Sequence, residues 1–179
     1  MHPIIAHNLK SLSQLLGLLS NLGEEAFTAN IASMHNSTLG KHARHIIEFY
    51  HCLFDGMIDG SVNYDSRPRQ MIYEQSLSAA KAEINHIVKG LTALASDTDT
   101  GNQQIVLVSG EYGSEPVMAN TTPFRELLYM ADHTVHHLAV MRLGVEALLP
   151  EISLDDTIGF APSTISHLSH VHPHLHPAQ

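Results

Sequence analysis

The chain has 179 residues, enough for one domain that buries roughly 70% of its unfolded surface without covalent staples. Its formal net charge of -9, with no basic cluster, argues against nucleic acid and anionic membrane surfaces as partners. A single cysteine, Cys52, rules out an internal disulfide and suits a reducing, cytoplasmic setting, whereas the 15 histidines stand out from ordinary composition.

In chain order, the first helix is expected from about Pro3 to Leu22. Ile5, Leu9, Leu12, Leu15, Leu16, Leu19 and Leu22 repeat at three- and four-residue intervals, Pro3 suits the first turn and Gly23 a stop. Polar residues punctuate this segment, so it reads as a structural helix rather than a signal peptide or membrane span. A connection over 23–36 follows. The second helix starts near Ser37 as N-cap and ends near Gly60, with Leu39, Ala43, Ile46, Ile47, Tyr50, Leu53, Phe54 and Met57 as its apolar stripe.

The loop SVNYDSRPR carries turn residues, and its Arg67 and Arg69 read as anchors to acidic neighbours or as an anion site. A third helix is expected from Met71 to Ala95, broken after it by the polar run SDTDTGN. QIVLVSGEYGSEPVMAN reads as a short β-hairpin. Thr122 and Pro123 restart a helix as N-cap and first helical residue, and Pro150 ends it. A short helical turn is expected over Pro162 to Leu168. The pattern predicts an all-α four-helix bundle over residues 1–168 with a small hairpin inserted before the last long helix, then a histidine-rich, disordered tail over 169–179.

The histidines of the last long helix, in HTVHH, carry the chemistry. His133 and His137 are four residues apart and share one helical face. With 15 histidines in the chain, about one such pair arises by chance, and His170/His174 and His172/His176 in the tail repeat the spacing, so position must decide. Around the apolar stripe Leu127, Met130, Ala131, Thr134, Leu138, Met141, Val145 and Leu148, His137 lies roughly 65° and His133 roughly 105° from the centre, but His136 roughly 165°. The second helix offers HARH, from which either His42 or His45 could reach across, with His42 nearer its stripe. A three-nitrogen set with open positions is the arrangement of a catalytic metal site. The donors suit zinc, nickel, iron or copper.

The segments STLGKHARHIIEFY and RELLYMADHTVHHLAVMRL resemble the DinB/YfiT-like family, and the resemblance extends from the first helix to about Leu168. It implies a four-helix bundle, often a homodimer, in which a histidine of the second helix joins an HxxxH pair on a later one. Carried over, the ligands are His45, His133 and His137, with His42 and His136 at positions that the family does not generally use. It also implies a divalent transition metal, zinc or nickel first and iron next. By the same resemblance, the activity would be that of a thiol-dependent S-transferase or isomerase.

The leading expectation is therefore an enzyme whose metal activates a thiol or water nucleophile, acting on a small-molecule thiol or electrophilic substrate. The alternative is a non-catalytic metal-binding or stress-related module, to which the histidine-rich tail would contribute. Supporting carboxylates are sought in Glu48, Glu126 and Asp132, with Glu48 read mainly as a surface charge. Cys52 reads as a small buried hydrophobe. Leu143, Ala139 and Tyr129 suggest a dimer face.

Overall fold

The computed structural model describes residues 1–110, 113 and 115–171. The chain is mostly helical. Helix α1 spans Pro3–Ser20, α2 Glu24–Thr28, α3 Leu39–Asp59, α4 Ile72–Gln75, α5 Leu77–Leu94, α6 Thr98–Asn102, α7 Pro123–Leu148 and α8 Pro162–Val171. Strands β1 (Ser61–Val62), β2 (Ile105–Ser109) and β3 (Val117–Thr121) form one small sheet. None of the described helices is long and apolar enough to cross a membrane.

Local chemistry accounts for the helix boundaries. Thr38, rather than Ser37, caps α3 by accepting the Lys41 amide at 3.0 Å, and Gly60 ends the helix at a φ of 78°, where a side chain would be strained. The Thr122 hydroxyl caps α7 at 3.2 Å from the Arg125 amide, with Pro123 in the first turn. The single helix expected over Met71–Ala95 is instead divided. Ser76 is extended and caps α5 by accepting the Ala79 amide at 3.2 Å, while the Glu24 carboxylate accepts from the Leu77 amide at 2.8 Å. The preceding turn, α4, packs so tightly on α3 that a Cβ at Gly40 would overlap the Glu74 carbonyl. The polar run after α5 does end that helix, yet it winds one further turn, α6, on an Asp97 cap. The connection over 23–36 likewise contains α2 and a 3-10 turn, Ala32–Met34.

The expected hairpin is present as β2 and β3, antiparallel with Ile105 opposite Thr121. It gains a third strand, because β1, directly after α3, pairs parallel to β2 with Val62 opposite Leu107. Two residues of a turn-rich loop carry no periodic signal for that pairing. Of the tail expectation, 169–171 close α8, and 172–179 lie outside the described residues.

Helix α1 packs on α7 and α5, and α3 packs on the same two helices, so the four long helices share one core. Leu12, Leu15, Tyr50, Leu53, Ile84 and Leu138 are fully enclosed there. On α1 the buried face is turned from the expected one: Leu9 and Leu16 are only partly covered, whereas Asn8 and Ser11 are buried. Asn8 explains the turn. Its amide donates to the Leu127 carbonyl of α7 at 2.9 Å and to Ile4 at 2.8 Å, while its oxygen accepts the Tyr50 hydroxyl of α3 at 2.7 Å. One buried side chain thus ties three helices.

Of the residues expected at a dimer face, Leu143 and Tyr129 are exposed. Leu143 is 62% exposed. Tyr129 is 39% exposed and borders a cavity, and Ala139 lies against Gly159, where a Cβ would overlap its backbone.

Replacing Asn8 by alanine removes the 2.7 Å acceptor of the Tyr50 hydroxyl, leaving it Thr134 at 3.5 Å, and removes the side-chain donor to the Leu127 carbonyl. Two buried groups lose partners, so urea titration should show a loss of about 1–3 kcal/mol. A loss below about 0.5 kcal/mol would show that this tie contributes little.

Candidate metal centre

Helices α3 and α7 face each other along two stripes of rings. His42, His45 and Phe49 recur at three- and four-residue steps on α3, and Tyr129, His133 and His137 recur at four-residue steps on α7. The stripes run in opposite senses. His42 meets His137 with ring centroids 5.1 Å apart, His45 meets His137 and His133 at 4.6 and 5.0 Å, and Phe49 stacks on His133 at 4.4 Å. The flanks that a helical wheel assigns to these side chains are the flanks the packing brings together.

The result is a convergence of nitrogens. One ring nitrogen from each of His45, His133 and His137 lies within 4.8 Å of the others, the one such group of His, Cys, Asp or Glu among the described residues. The Nε2 atoms of His45 and His133 are 2.9 Å apart. Two nitrogens each about 2.0–2.1 Å from one ion would be about 2.9–3.4 Å apart for bond angles between a right angle and the tetrahedral value. The spacing therefore suits chelation as well as a direct hydrogen bond.

His42 has a different place. Its Nδ1 is 2.8 Å from Nδ1 of His137 and outside the three-nitrogen group. One of the two imidazoles must donate and the other accept. If His137 donates from Nδ1, its Nε2 is left with a free lone pair, and His42 sets the tautomer and the ring orientation. The choice between His42 and His45 left open by the helical wheel resolves into two positions. His45 is in the cluster and His42 is behind it. His136 is exposed, as expected.

Burial decides the protonation of these rings. His137 is lowered to about 2, first by desolvation and then by His133, His45, His42 and His136. His45 falls to about 3 through desolvation, His133 and Arg67, and His133 to about 4 through desolvation, His136 and Arg67. His42 is also lowered, by burial and by His136. All four are therefore neutral at pH 7, the form in which imidazole binds metal.

The carboxylates take roles other than those expected. Glu48 is buried rather than a surface charge: it accepts the Gln70 amide at 2.6 Å, and Nε of both Arg44 and Arg67 stands 4.0 Å from it. It thereby holds the loop after β1 against α3 and places the Arg67 guanidinium 4.6 Å above the Phe49 ring. Glu126 is buried and receives the hydroxyls of Tyr64 at 2.8 Å and Thr121 at 2.6 Å. Asp132 is exposed. Cys52 packs partly buried against the core, where burial raises its thiol pKa, and it lines a separate polar cleft with His51 and Asp55.

A cavity of about 460 Å³ opens beside His45 and His133. Its walls come from the loop after β1 (Tyr64, Arg67), from β2 (Leu107 to Ser109) and from α7 (Arg125, Tyr129). Nothing in the sequence pattern marks Tyr64, Arg125 or β2 as neighbours of the histidines. The β1–β2 pairing that delivers them joins segments more than forty residues apart, as in Ser61 opposite Val106, and leaves no local signal.

The depressed histidine pKa values fix the sign of a pH effect in the metal-free protein. The unfolded chain takes up protons as pH falls below about 6.5, while the folded cluster resists until about 2–4. Stability is thus fully present above about pH 6.5 and declines as pH falls through that interval. Urea midpoints between pH 7.5 and 5 should fall, and fall less steeply in a His133→Ala/His137→Ala variant. Equal slopes would show that the cluster does not hold its rings neutral.

No family model, curated protein or solved structure matches this chain.

Proposed function

We propose that the chain is a DinB/YfiT-like four-helix bundle in which His45, His133 and His137 hold a divalent transition metal, zinc or nickel in preference to iron, at a catalytic centre. The observation that carries this reading is the meeting of three neutral imidazole nitrogens from α3 and α7 within 4.8 Å, next to a cavity. A structural zinc site would be closed by a fourth protein ligand, and a three-nitrogen set leaves positions for a substrate. A divalent ion held there lowers the pKa of a bound thiol or water and so supplies a nucleophile at neutral pH.

The chain's own residues would perform the remaining work. His42 orients His137 through the Nδ1 contact of 2.8 Å. Phe49 packs against both His45 and His133, with centroids 4.4 Å away in each case, and limits their rotation. Leu107 and Val108 of β2 give the cavity part of its apolar lining. With a thiol as nucleophile the reaction is S-transfer to an electrophile; with water it is hydrolysis. The exposed Leu143 of α7 is consistent with a homodimer.

Metal analysis of the full-length chain after dialysis tests the assignment. One ion per chain should be retained by the wild type and by a variant with His170, His172, His174 and His176 replaced by alanine. His45→Ala and His133→Ala/His137→Ala should lose it. His42→Ala should keep the site but weaken it by about 10–100-fold, as removal of a ligand's orienting partner does. Full retention by the His133→Ala/His137→Ala variant would sink the site. Absence of turnover with electrophiles and a panel of low-molecular-weight thiols, in protein carrying one ion, would favour the non-catalytic module.

A further inference from the structure

The cavity beside the histidines is built unevenly. One side is aromatic: Phe49 and Tyr64 stack with centroids 4.9 Å apart and planes 5° from parallel, and Tyr129 lies 6.0 Å from Tyr64. Two arginines, Arg67 and Arg125, also line it. The carboxylates on its wall, Asp65 and Glu126, accept from neutral donors, and Glu126 also pairs with Arg125. Asp65 accepts the Ser109 hydroxyl at 2.7 Å and the Gly110 amide at 3.0 Å, and Glu126 accepts the hydroxyls of Tyr64 and Thr121.

The two carboxylates of the lining offset its two arginines, so the cluster decides the balance of charge. Three neutral imidazoles contribute no negative charge, so a divalent ion at the cluster keeps its full charge toward the cavity. Arg67 adds to it from above Phe49, close enough that its positive charge helps depress both His45 and His133. Its nearest carboxylate contact, Glu48, stands 4.0 Å from Nε and is shared with Arg44. Arg125 is more than half exposed at the rim, where it donates to Glu126 at 3.4 Å and leaves its remaining N–H groups for an incoming anion. A low-dielectric pocket with this balance favours a negatively charged guest, and guanidinium groups match the planar oxygen pair of a carboxylate.

Resting on the metal-centre reading for its reacting end, we infer that the cavity binds a small carboxylate with an aromatic or apolar body. Its carboxylate is held by Arg67 and Arg125, its body lies along Phe49, Tyr64 and Tyr129, and its reacting atom is turned to the histidines. A volume of about 460 Å³ falls within the range of small-molecule sites, roughly 300–1,000 Å³.

Calorimetric titration with benzoate, and with benzamide as its neutral isostere, tests the inference on the full-length chain, with bound metal measured in each sample. Benzoate should bind the metal-loaded protein at least tenfold more tightly than benzamide. Arg67→Lys should weaken benzoate at least tenfold, and Arg125→Gln, at an exposed side chain, by about threefold, with the urea midpoint of each variant checked against wild type. Both should leave benzamide and metal content unchanged. Equal binding of the two probes, or unchanged benzoate affinity in both variants, overturns the inference even if one ion per chain is bound. If no metal is bound, the metal-centre reading fails separately, and the metal-free titration decides: an arginine-dependent preference for benzoate upholds the carboxylate site, and its absence ends it. Inorganic phosphate competing as well as benzoate would overturn the assignment of an apolar body.

Discussion

The buried contact between the Asn8 amide and the Tyr50 hydroxyl is the constraint on which the rest of the molecule depends. A side-chain amide inside a hydrophobic core is costly unless its donors and acceptor are met, and here they are met only when α1, α3 and α7 are at one particular rotation and height. A slide of α3 along α7 would break it. Since His42, His45 and Phe49 are carried on α3, the same tie sets which ring on α7 each of them meets. The nitrogen cluster thus rests on polar satisfaction in the core together with the ring-to-ring contacts of His42 with His137 and of His45 with His133.

Around that pairing the molecule uses two buried carboxylates for architecture. Glu48 gathers the loop after β1 onto α3, and Glu126 ties Tyr64 of that loop and Thr121 of β3 to α7. Both serve to bring a segment without regular structure up against the histidines. The cavity beside the histidines is lined by Arg67 and Arg125 as well as by Asp65 and Glu126. A buried carboxylate close to a metal centre is easily read as a base. Here the hydrogen bonds each one receives define it as a strut.

The helix faces are largely legible in the sequence. Apolar periodicity locates the four long helices, apart from the break at Ser76, to within a few residues, and the helical wheel separates the exposed His136 from His133 and His137. Two kinds of feature are not legible. Asn8 and Ser11 replace Leu9 and Leu16 in the core of α1, because periodicity ranks residues by hydrophobicity and takes no account of a polar group that finds partners across the core. The burial of Glu48 escapes the pattern for the same reason: its place on the helix is visible, but its backbone partner at Gln70 is not.

What the amino-acid sequence determined by itself is the set of amphipathic helices and the presence of four histidines at one-turn spacings on two of them, because both follow from a period of 3.6 residues. The helical wheel put His42 nearer the apolar stripe than His45, but with both on one flank of α3 it left either able to reach across. Only the tertiary structure decided that His45 joins the cluster while His42 stands behind His137, and that Tyr64, Arg67, Arg125 and β2 enclose a cavity beside it. Those outcomes depend on the height at which two helices meet and on a parallel strand pairing across the chain. Both are global properties of the packing, and no local window of residues encodes them.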